Sequence, residues 1–240
     1  MLLSSPKALD ARAALLGAPH LRAIEAWRAG MTSEARPLPH VDPLDGGDAA
    51  RLLILLETPG PGAERLRFVS RDNPTGTGRN LRRFLGEAGL ARGDTVIWNA
   101  VPWVVHDPGA RNRAVRAGEV REGAAMLPGF IDLLPRLAAV VAMGRVARGA
   151  VAVIEATRPS VAVIAVPHPS PTIVCTSPAV GERIAAGLAE AAGIVAGASP
   201  SPFRAFGAPS LSHREREEPA QPAKGEGEGG DACYGGHALP

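Results

Sequence analysis

The side chains that could do chemistry lie in two short loops, each of which follows an apolar run. Glu57 begins the first, Glu57-Thr58-Pro59-Gly60-Pro61-Gly62 (the Glu57 loop), after Leu52–Leu56. His168 begins the second, His168-Pro169-Ser170-Pro171 (the His168 loop), after Val161–Val166. In an α/β sheet, ligands bind where loops leave the carboxyl ends of the strands, so the two loops can converge there. We therefore predict an active site that combines a carboxylate with an imidazole, two groups suited to acid–base chemistry.

Each loop also has an ordinary explanation. Glu57 could be a solvated residue in a strand-to-loop turn, and the segment taken alone favours that interpretation. His168 lies between Pro167 and Pro169, whose rings limit where the imidazole can point. A lone histidine is usually structural or on the surface, but this rigid context after a buried strand favours a functional histidine.

Asn99 is a third candidate, because it places an amide inside the apolar run Thr95–Val101. Burying an unpaired amide is unfavourable. An amide offers both an acceptor and donors, which suits the edge of a pyrimidine that presents N3–H and O4. From spacing alone, the favoured interpretation is an asparagine that satisfies nearby backbone groups.

The segment Asn73–Asn80 suggests an anion site, because Gly76-Thr77-Gly78-Arg79 opens a helical pattern there. Backbone N–H groups at a helix N-terminus bind phosphate, and Arg79 adds positive charge. A flexible loop followed by a helix cap explains the same residues. No lysine follows the glycines, which argues against a P-loop that hydrolyses nucleotides.

The elements that must position these side chains alternate along the chain. Apolar runs predict buried parallel strands at Arg51–Leu56, Thr95–Val101, Ala138–Met143 and Val161–Val166. Helical patterns follow the strands at Arg79–Gly86, Gly118–Leu137, Arg145–Glu155 and Val180–Ala196. Strands that alternate with helices predict an α/β fold with a doubly wound parallel sheet. The glycine turn at Met143-Gly144 is interpreted chiefly as packing.

Composition divides the chain into three parts. We expect residues 1–50 to form an N-terminal cap, with a helix at His20–Ala29 and a turn-rich lead-in to the sheet. Residues 51–196 form the predicted α/β domain. Residues 197–240 are rich in Ser, Pro, Gly and charged residues and hold too little apolar surface for a core, so this tail is predicted to be disordered.

Composition also disfavours several classes of protein. No apolar run approaches the roughly 20 residues needed to span a bilayer, so we expect no membrane partner. The N-terminus lacks a charged leader followed by an apolar stretch, which favours a cytoplasmic location. The two cysteines, Cys175 and Cys233, cannot by themselves ligate zinc or an iron–sulfur cluster. We expect no metal or other cofactor, and a monomeric protein.

Arginine is concentrated in two stretches, although the net charge is only +2. Residues 197–240 hold four Lys/Arg and six Asp/Glu, which gives −2, so residues 1–196 carry +4. The two stretches contain Arg65, Arg67, Arg71, Arg79, Arg82 and Arg83, and then Arg111, Arg113, Arg116 and Arg121. Such clusters could contact phosphates or could be a solvated surface, and the sequence leaves both interpretations open.

Together these segments resemble the uracil-DNA glycosylase superfamily in order and spacing, over about Arg51–Ala196. The resemblance is carried by Glu57-Thr58-Pro59-Gly60, Phe68, Asn99, Met143-Gly144 and His168-Pro169-Ser170-Pro171. The Glu-x-Pro-Gly segment looks most like the iron–sulfur enzymes of thermophile type. The resemblance implies a three-layer α/β sandwich with a central four-stranded parallel sheet flanked by helices. It also implies a DNA-repair enzyme that flips uracil out of single- or double-stranded DNA and hydrolyses its glycosidic bond, leaving an abasic site.

The resemblance implies a task for each main residue. Phe68 would stack on the flipped base, and Asn99 would bond its O4 and N3–H, rejecting cytosine, which reverses that pattern. His168 would donate a hydrogen bond to uracil O2 as negative charge builds there. Glu57 would orient water and stabilise the cationic sugar, so that cleavage needs no metal.

The remaining residues implied by the resemblance fall into three groups. The walls of the substrate pocket would include Thr58, Pro59 and Gly60. The DNA phosphates beside the flipped nucleotide would be held, without reading of sequence, by Ser170, Thr77, Gly78 and Arg79. The apolar wedge that many relatives insert into the vacated stack falls on Thr172 or Ile173.

The chain departs from this family in and just before the Glu57 loop. Thr58 stands where several relatives have the Asp or Asn that positions water, and Leu56 replaces the usual glycine. Gly60 stands where the most uracil-selective relatives have a bulky tyrosine, which leaves room for a 5-substituted pyrimidine or another deaminated base. Two alternatives follow: a protein that binds abasic or damaged DNA without turnover, and a glycosylase for a base such as hypoxanthine.

Overall fold

The computed structural model describes residues 2–60, 66–106 and 113–197. Several features of the sequence analysis lie outside these ranges, namely Pro61 and Gly62 of the Glu57 loop, Arg65, Arg111 and the tail from residue 198. The predicted α/β domain is therefore described except for residues 61–65 and 107–112.

The strands in the described ranges are β1 (His40–Val41), β2 (Leu52–Leu56), β3 (Phe68–Val69), β4 (Thr95–Asn99), β5 (Ala139–Met143) and β6 (Ala162–Val166). One sheet has the order β4-β2-β5-β6, with every neighbouring pair parallel. β1 and β3 form a separate parallel pair. Because β2 lies between β4 and β5, the direction of winding reverses beside it. Ligands bind at such a reversal, at the carboxyl ends of the strands.

The α-helices in the same ranges are α1 (Pro6–Ala13), α2 (Arg22–Met31), α3 (Gly76–Glu87), α4 (Ala117–Asp132), α5 (Arg145–Arg148), α6 (Val151–Thr157), α7 (Pro171–Val174) and α8 (Pro178–Val195). α3 packs against α8, and α4 packs against α6. None of the helices in the part of the chain that the structure describes is both long and apolar enough to cross a membrane.

The register of the sheet shows that these helices form two outer layers. Trp98 of β4 and Ala165 of β6 occupy one row across the sheet and therefore the same face. Trp98 stacks on Phe130 of α4, with ring centroids 4.7 Å apart. Val166 points to the opposite face, because side chains alternate along a strand, and packs against Gly187 of α8. The predicted three-layer α/β sandwich with a four-stranded parallel sheet is confirmed.

Three of the four strands are almost entirely buried, because helices cover both faces of the sheet. Every residue of β5 and β4 is buried, and β2 is buried up to Leu55. Buried parallel strands carry continuous apolar runs rather than alternating ones, which is why the four runs in the sequence identified the sheet. Of the two edge strands, β4 is buried and β6 is only partly buried.

The predicted elements differ from the observed ones mainly at their ends. The predicted helix Arg145–Glu155 is wrong, because the chain forms α5 and α6 with a break at Gly149-Ala150, where glycine weakens a helix. The predicted helix Gly118–Leu137 ends early, at Asp132, and the strand predicted to reach Val101 ends at Asn99. The helix predicted at His20–Ala29 is a short 3₁₀ turn followed by α2. The short elements α1, α7, β1 and β3 were not predicted.

A buried ion network joins the N-terminal segment to the sheet; we define it as Arg12, Asp42, Ser70, Asp72 and Arg92. Arg12 of α1 donates to both Asp42 and Asp72, and Arg92 donates to the same two carboxylates. Ser70 donates to Asp42 and accepts the N–H of Asp72. The side chain of Asp42 is 0% exposed and that of Arg12 3%. Each buried charge thus meets an opposite charge, without which burial would be strongly unfavourable.

Candidate active site

A cavity of about 570 Å³ opens at the carboxyl ends of the sheet strands, within the size range of small-molecule sites. Most of the predicted site residues line it, namely Glu57, Thr58, Pro59, Gly60, Phe68, Thr77, Gly78, Asn99, His168, Ser170 and Thr172. The other two, Arg79 and Ile173, are exposed and do not belong to its lining. The structure therefore brings the Glu57 loop and the His168 loop to one site.

Glu57 points into this cavity instead of forming a solvated turn. Its carbonyl oxygen accepts the N–H of Val101 at 3.0 Å, which fixes the backbone just beyond β2. Its carboxylate atom Oε1 accepts the N–H of Val146 at 3.1 Å. The second oxygen, Oε2, has no hydrogen-bond partner among the described residues, so it remains able to hold a water or face a positive charge.

His168 is held as a neutral hydrogen-bond donor. Its Nδ1 atom accepts the backbone N–H of Ser170 at 3.1 Å. A backbone N–H can only donate, so the neutral ring carries its proton on Nε2. Burial lowers the pKa of His168 below its ordinary value, although the negative charge of Glu57 acts in the opposite direction. The ring therefore offers Nε2–H to the cavity at neutral pH.

Gly144 is the point where the two loops meet. Its φ is +96°, a conformation that favours glycine. A Cβ there would lie 2.6 Å from Oε1 of Glu57, closer than real Cβ atoms approach, and 3.0 Å from Cβ of His168, which is a tight contact. The sequence suggests chiefly a packing role for this glycine; the structure shows that its missing side chain also makes room for both site residues.

Asn99 ends β4 with its side chain in the cavity wall. The residue is only 2% exposed, and its amide has no hydrogen-bond partner among the described residues. The expectation from spacing alone, an amide that satisfies nearby backbone groups, is therefore wrong. Neither amide atom is among the fully buried polar atoms that lack a partner, so the amide reaches the cavity, where a ligand with matching donors and acceptors could bind it.

Phe68 supplies an aromatic surface to the same cavity. It is 5% exposed and lies in β3, opposite His40 of β1, with the two ring centroids 5.7 Å apart. Asn73 donates through Nδ2 to the carbonyl oxygen of Phe68 at 2.9 Å, which fixes the backbone from the other side. The ring is thus held from two directions and could stack on a planar ligand.

The N-terminus of α3 packs directly against the His168 loop. A Cβ at Gly76 would collide with the ring of Pro171. Asn80 donates through Nδ2 to the carbonyl oxygen of Pro169 at 3.0 Å. Two segments predicted separately to hold phosphates therefore form one continuous rim.

Within this rim, the predicted phosphate contacts are not equivalent. The N–H of Gly78 donates to Oγ1 of Thr75 at 3.0 Å as a helix cap, so it is not open to a phosphate. Thr77 lines the cavity, and no described residue accepts its N–H. Arg79 is exposed and outside the cavity lining, so its predicted contact does not follow from the cavity geometry.

The mouth of the cavity is open on the side of Gly60 and Ile173. A Cβ at Gly60 would have no atom within 4 Å. Oγ of Ser170 lies 3.1 Å from Oγ1 of Thr172, and both side chains line the cavity. Ile173 follows them and is 41% exposed, an apolar side chain in the position predicted for a wedge.

Most of the described arginines in the two sequence clusters have ion-pair or cavity positions. Arg82 lies 3.7 Å from Asp72, and Arg83 lies 3.5 Å from Glu87. Arg113 pairs with Glu119. Arg71 is buried, whereas Arg67 and Arg113 line the cavity. The clusters are thus neither a simple solvated surface nor a uniform phosphate-binding patch.

Three titratable cavity residues that follow β4 or β5 were not among the predicted site residues: His106, Arg113 and Arg145. His106 and Arg113 lie beyond the strand that ends at Asn99, and Arg145 follows Gly144. The signal for each was its position after a predicted strand, since the loops at all four strand ends approach one site.

The donor set does not fit a metal cluster. Among residues 2–60, 66–106 and 113–197, no group of three or more His, Cys, Asp or Glu side chains could hold a metal ion. Iron–sulfur clusters are commonly ligated by four cysteines, and the whole chain has only two. The iron–sulfur cluster of the thermophile-type relatives therefore has no counterpart here.

Comparison with known proteins agrees with the geometry. The family model described as "Uracil DNA glycosylase superfamily" matches residues 43–192. That segment contains all four strands of the main sheet and every predicted site residue. No curated protein matches the chain at a significant level.

Proposed function

This chain belongs to the uracil-DNA glycosylase superfamily, and we propose that it is a monofunctional DNA-repair glycosylase that releases uracil from DNA and leaves an abasic site. The family match supports DNA as its partner. The observation that carries the proposal is the amide of Asn99, which has no hydrogen-bond partner among the described residues and shares one cavity with Glu57, Phe68 and His168.

Asn99 and Phe68 act on the base in this proposal. Uracil presents a donor at N3–H and an acceptor at O4, so Oδ1 of Asn99 accepts the first bond and Nδ2 donates the second. Cytosine has an acceptor at N3 and a donor at N4, so each group would face a like group of the Asn99 amide. This mismatch disfavours cytosine. The ring of Phe68 stacks on the flipped base, since every base has a π-face.

His168 acts on the leaving group. As the glycosidic bond lengthens, negative charge builds on uracil O2, and the neutral ring donates its Nε2–H to that oxygen. A donor aimed at charge that appears only in the transition state contributes about 2.7–4 kcal/mol. The hydrogen bond from Ser170 keeps this donor in the required tautomer.

Glu57 acts on the sugar side. Its Oε1 atom is anchored by Val146, which leaves Oε2 to orient water and to stabilise the positive charge that develops on the sugar. Thr58 stands where several relatives use Asp or Asn for water, so in this proposal Glu57 carries that task without a second carboxylate or amide.

The test is uracil excision by the purified full chain without added metal. We expect single- or double-stranded oligonucleotides with one uracil to acquire an alkali-labile abasic site, whereas matched oligonucleotides with cytosine or thymine do not. If neither uracil substrate is cleaved by excess enzyme, the proposal is overturned. Tight, salt-dependent binding without base release would instead identify a protein that binds damaged DNA without turnover.

A glycosylase for hypoxanthine is a second candidate, favoured by the open space at Gly60. Hypoxanthine presents the same adjacent N–H and carbonyl groups as uracil, so Asn99 could read both bases, and the larger ring needs room. Excision from matched uracil and hypoxanthine oligonucleotides separates the two candidates. A Gly60→Tyr variant should lose hypoxanthine excision first.

A further inference from the structure

His106 is a second histidine in the cavity wall, and the mechanism above does not use it. It is half-buried and lies beyond Asn99, on the segment that follows β4. Its Nδ1 atom accepts the backbone N–H of Arg113 at 3.1 Å. By the same reasoning as for His168, the neutral ring therefore carries its proton on Nε2.

The surroundings of His106 keep this Nε2–H available for a ligand. Burial, together with the positive charge of Arg113, lowers the pKa of His106, which favours the neutral ring. Glu119 is the carboxylate whose charge reaches His106, but it is already engaged. It accepts two hydrogen bonds from the Arg113 guanidinium, at 2.9 and 2.5 Å, and one from the N–H of Arg116 at 2.8 Å.

Two neutral imidazoles thus line one cavity in the same way. Each receives a backbone N–H on Nδ1 at 3.1 Å, and each is left with a proton on Nε2 that no described residue accepts. Rigid donors without protein partners in a cavity wall are suited to bind a ligand acceptor.

We propose that His106 donates its Nε2–H to an acceptor oxygen of the bound DNA, on the flipped base or on an adjacent phosphodiester. This inference rests on the proposed function and adds a binding residue to it. The alternative is a purely structural role, in which His106 only holds the backbone at Arg113 through Nδ1.

Two variants separate these roles, because each one replaces a different ring nitrogen with an amide atom of matching hydrogen-bond capacity. In His106→Asn, the side-chain oxygen replaces Nδ1 and can still accept the Arg113 N–H, but the donor at Nε2 is lost. In His106→Gln, the amide nitrogen reaches the Nε2 position, but the acceptor at Nδ1 is lost. Binding and single-turnover excision are measured for the wild type and both variants, with uracil oligonucleotides and with oligonucleotides that already carry an abasic site.

We expect His106→Asn to weaken binding of uracil DNA by about tenfold, the loss of one hydrogen bond to substrate, while His106→Gln stays within about threefold of the wild type. If the acceptor is a phosphodiester, abasic DNA loses affinity to the same degree; if it is the base, abasic DNA binding is unchanged. The opposite ranking, with Asn active and Gln impaired, or equal affinity of all three proteins, overturns the inference. A wild type that binds uracil DNA without excision removes the proposed reaction but still decides the role of His106.

Discussion

Two buried polar regions of this protein treat their polar groups in opposite ways. In the ion network, Arg12 and Arg92 each donate to both Asp42 and Asp72. In the cavity, by contrast, Asn99 and Oε2 of Glu57 have no partner among the described residues. The first arrangement stabilises the folded chain, whereas the second leaves polar groups ready for a ligand. Substitutions in the two regions should therefore have different consequences.

The largest expected effect is on stability, from Asp42→Asn in the ion network. This change removes the buried negative charge to which Arg12 and Arg92 both donate. Breaking a buried ion pair destabilises a fold by about 3–5 kcal/mol. Urea unfolding followed by circular dichroism measures the loss. A loss below about 1 kcal/mol would show that the network is not the stabilising region.

His168→Ala should show the reverse pattern. Removal of a donor aimed at the leaving group should slow single-turnover uracil excision by about 10²–10³-fold. Only one buried hydrogen bond, from Ser170, is lost, so the free energy of unfolding should change by about 1 kcal/mol. An excision rate within tenfold of the wild type would contradict the role of His168.

Asn99→Leu tests the cavity from the stability side. Leucine has a similar size, and Asn99 has no hydrogen-bond partner to lose among the described residues, so we expect the free energy of unfolding to change by less than about 1 kcal/mol while uracil excision is lost. The matched control is Asn73→Leu, because Asn73 donates to the carbonyl oxygen of Phe68. The control should destabilise the protein. Destabilisation by both variants would mean that Asn99 has a structural partner after all.

The smallest effect is a shift in the pH profile. The pKa of His168 is lowered by burial, and the Ser170 N–H further disfavours a proton on Nδ1, so excision should fall only below the ordinary value of 6.5. Ser170 has φ −65°, which suits proline, so Ser170→Pro removes this N–H with little strain. The acidic limb should then move up by about half to one unit, whereas Ser170→Ala leaves it in place. Equal pH profiles for Ser170→Pro and the wild type would show that this hydrogen bond does not influence the pKa of His168.

The free energy of unfolding should also fall as the pH is lowered. Because the folded pKa of His168 lies below its unfolded value, the unfolded chain binds more protons on acidification. The contribution of His168 to stability is therefore complete above about pH 6.5 and is lost as pH falls through the folded pKa. His168→Gln should flatten this part of the stability profile in urea unfolding.

The sheet and the convergence of the two loops were predictable from the sequence because both depend on local signals. Continuous apolar runs identified β2, β4, β5 and β6, and parallel strands place their carboxyl ends at one edge. The ion network was not predictable, since Arg12, Asp42 and Asp72 are far apart in sequence and no periodicity relates them. The pairing of β1 with β3 is only two residues long and leaves no pattern.

Within the site, residue types were predictable but hydrogen-bond partners were not. The spacing suggested that Asn99 bonds to nearby backbone, whereas the structure leaves its amide without a partner among the described residues. The sequence suggested that the N–H of Gly78 could bind phosphate, whereas in the structure it donates to Oγ1 of Thr75. His106 was missed because it lies several residues past the end of β4, after an apolar stretch at residues 100–105 that forms no strand.

Gly144 has a consequence for how this site can change. Because one missing side chain makes room for both Glu57 and His168, the positions of the two side chains depend on the same small space. A side chain at position 144 would press on both Glu57 and His168, the residues to which the proposed mechanism gives the sugar side and the leaving-group side. A lineage that altered position 144 would have to adjust both loops at once to keep this geometry.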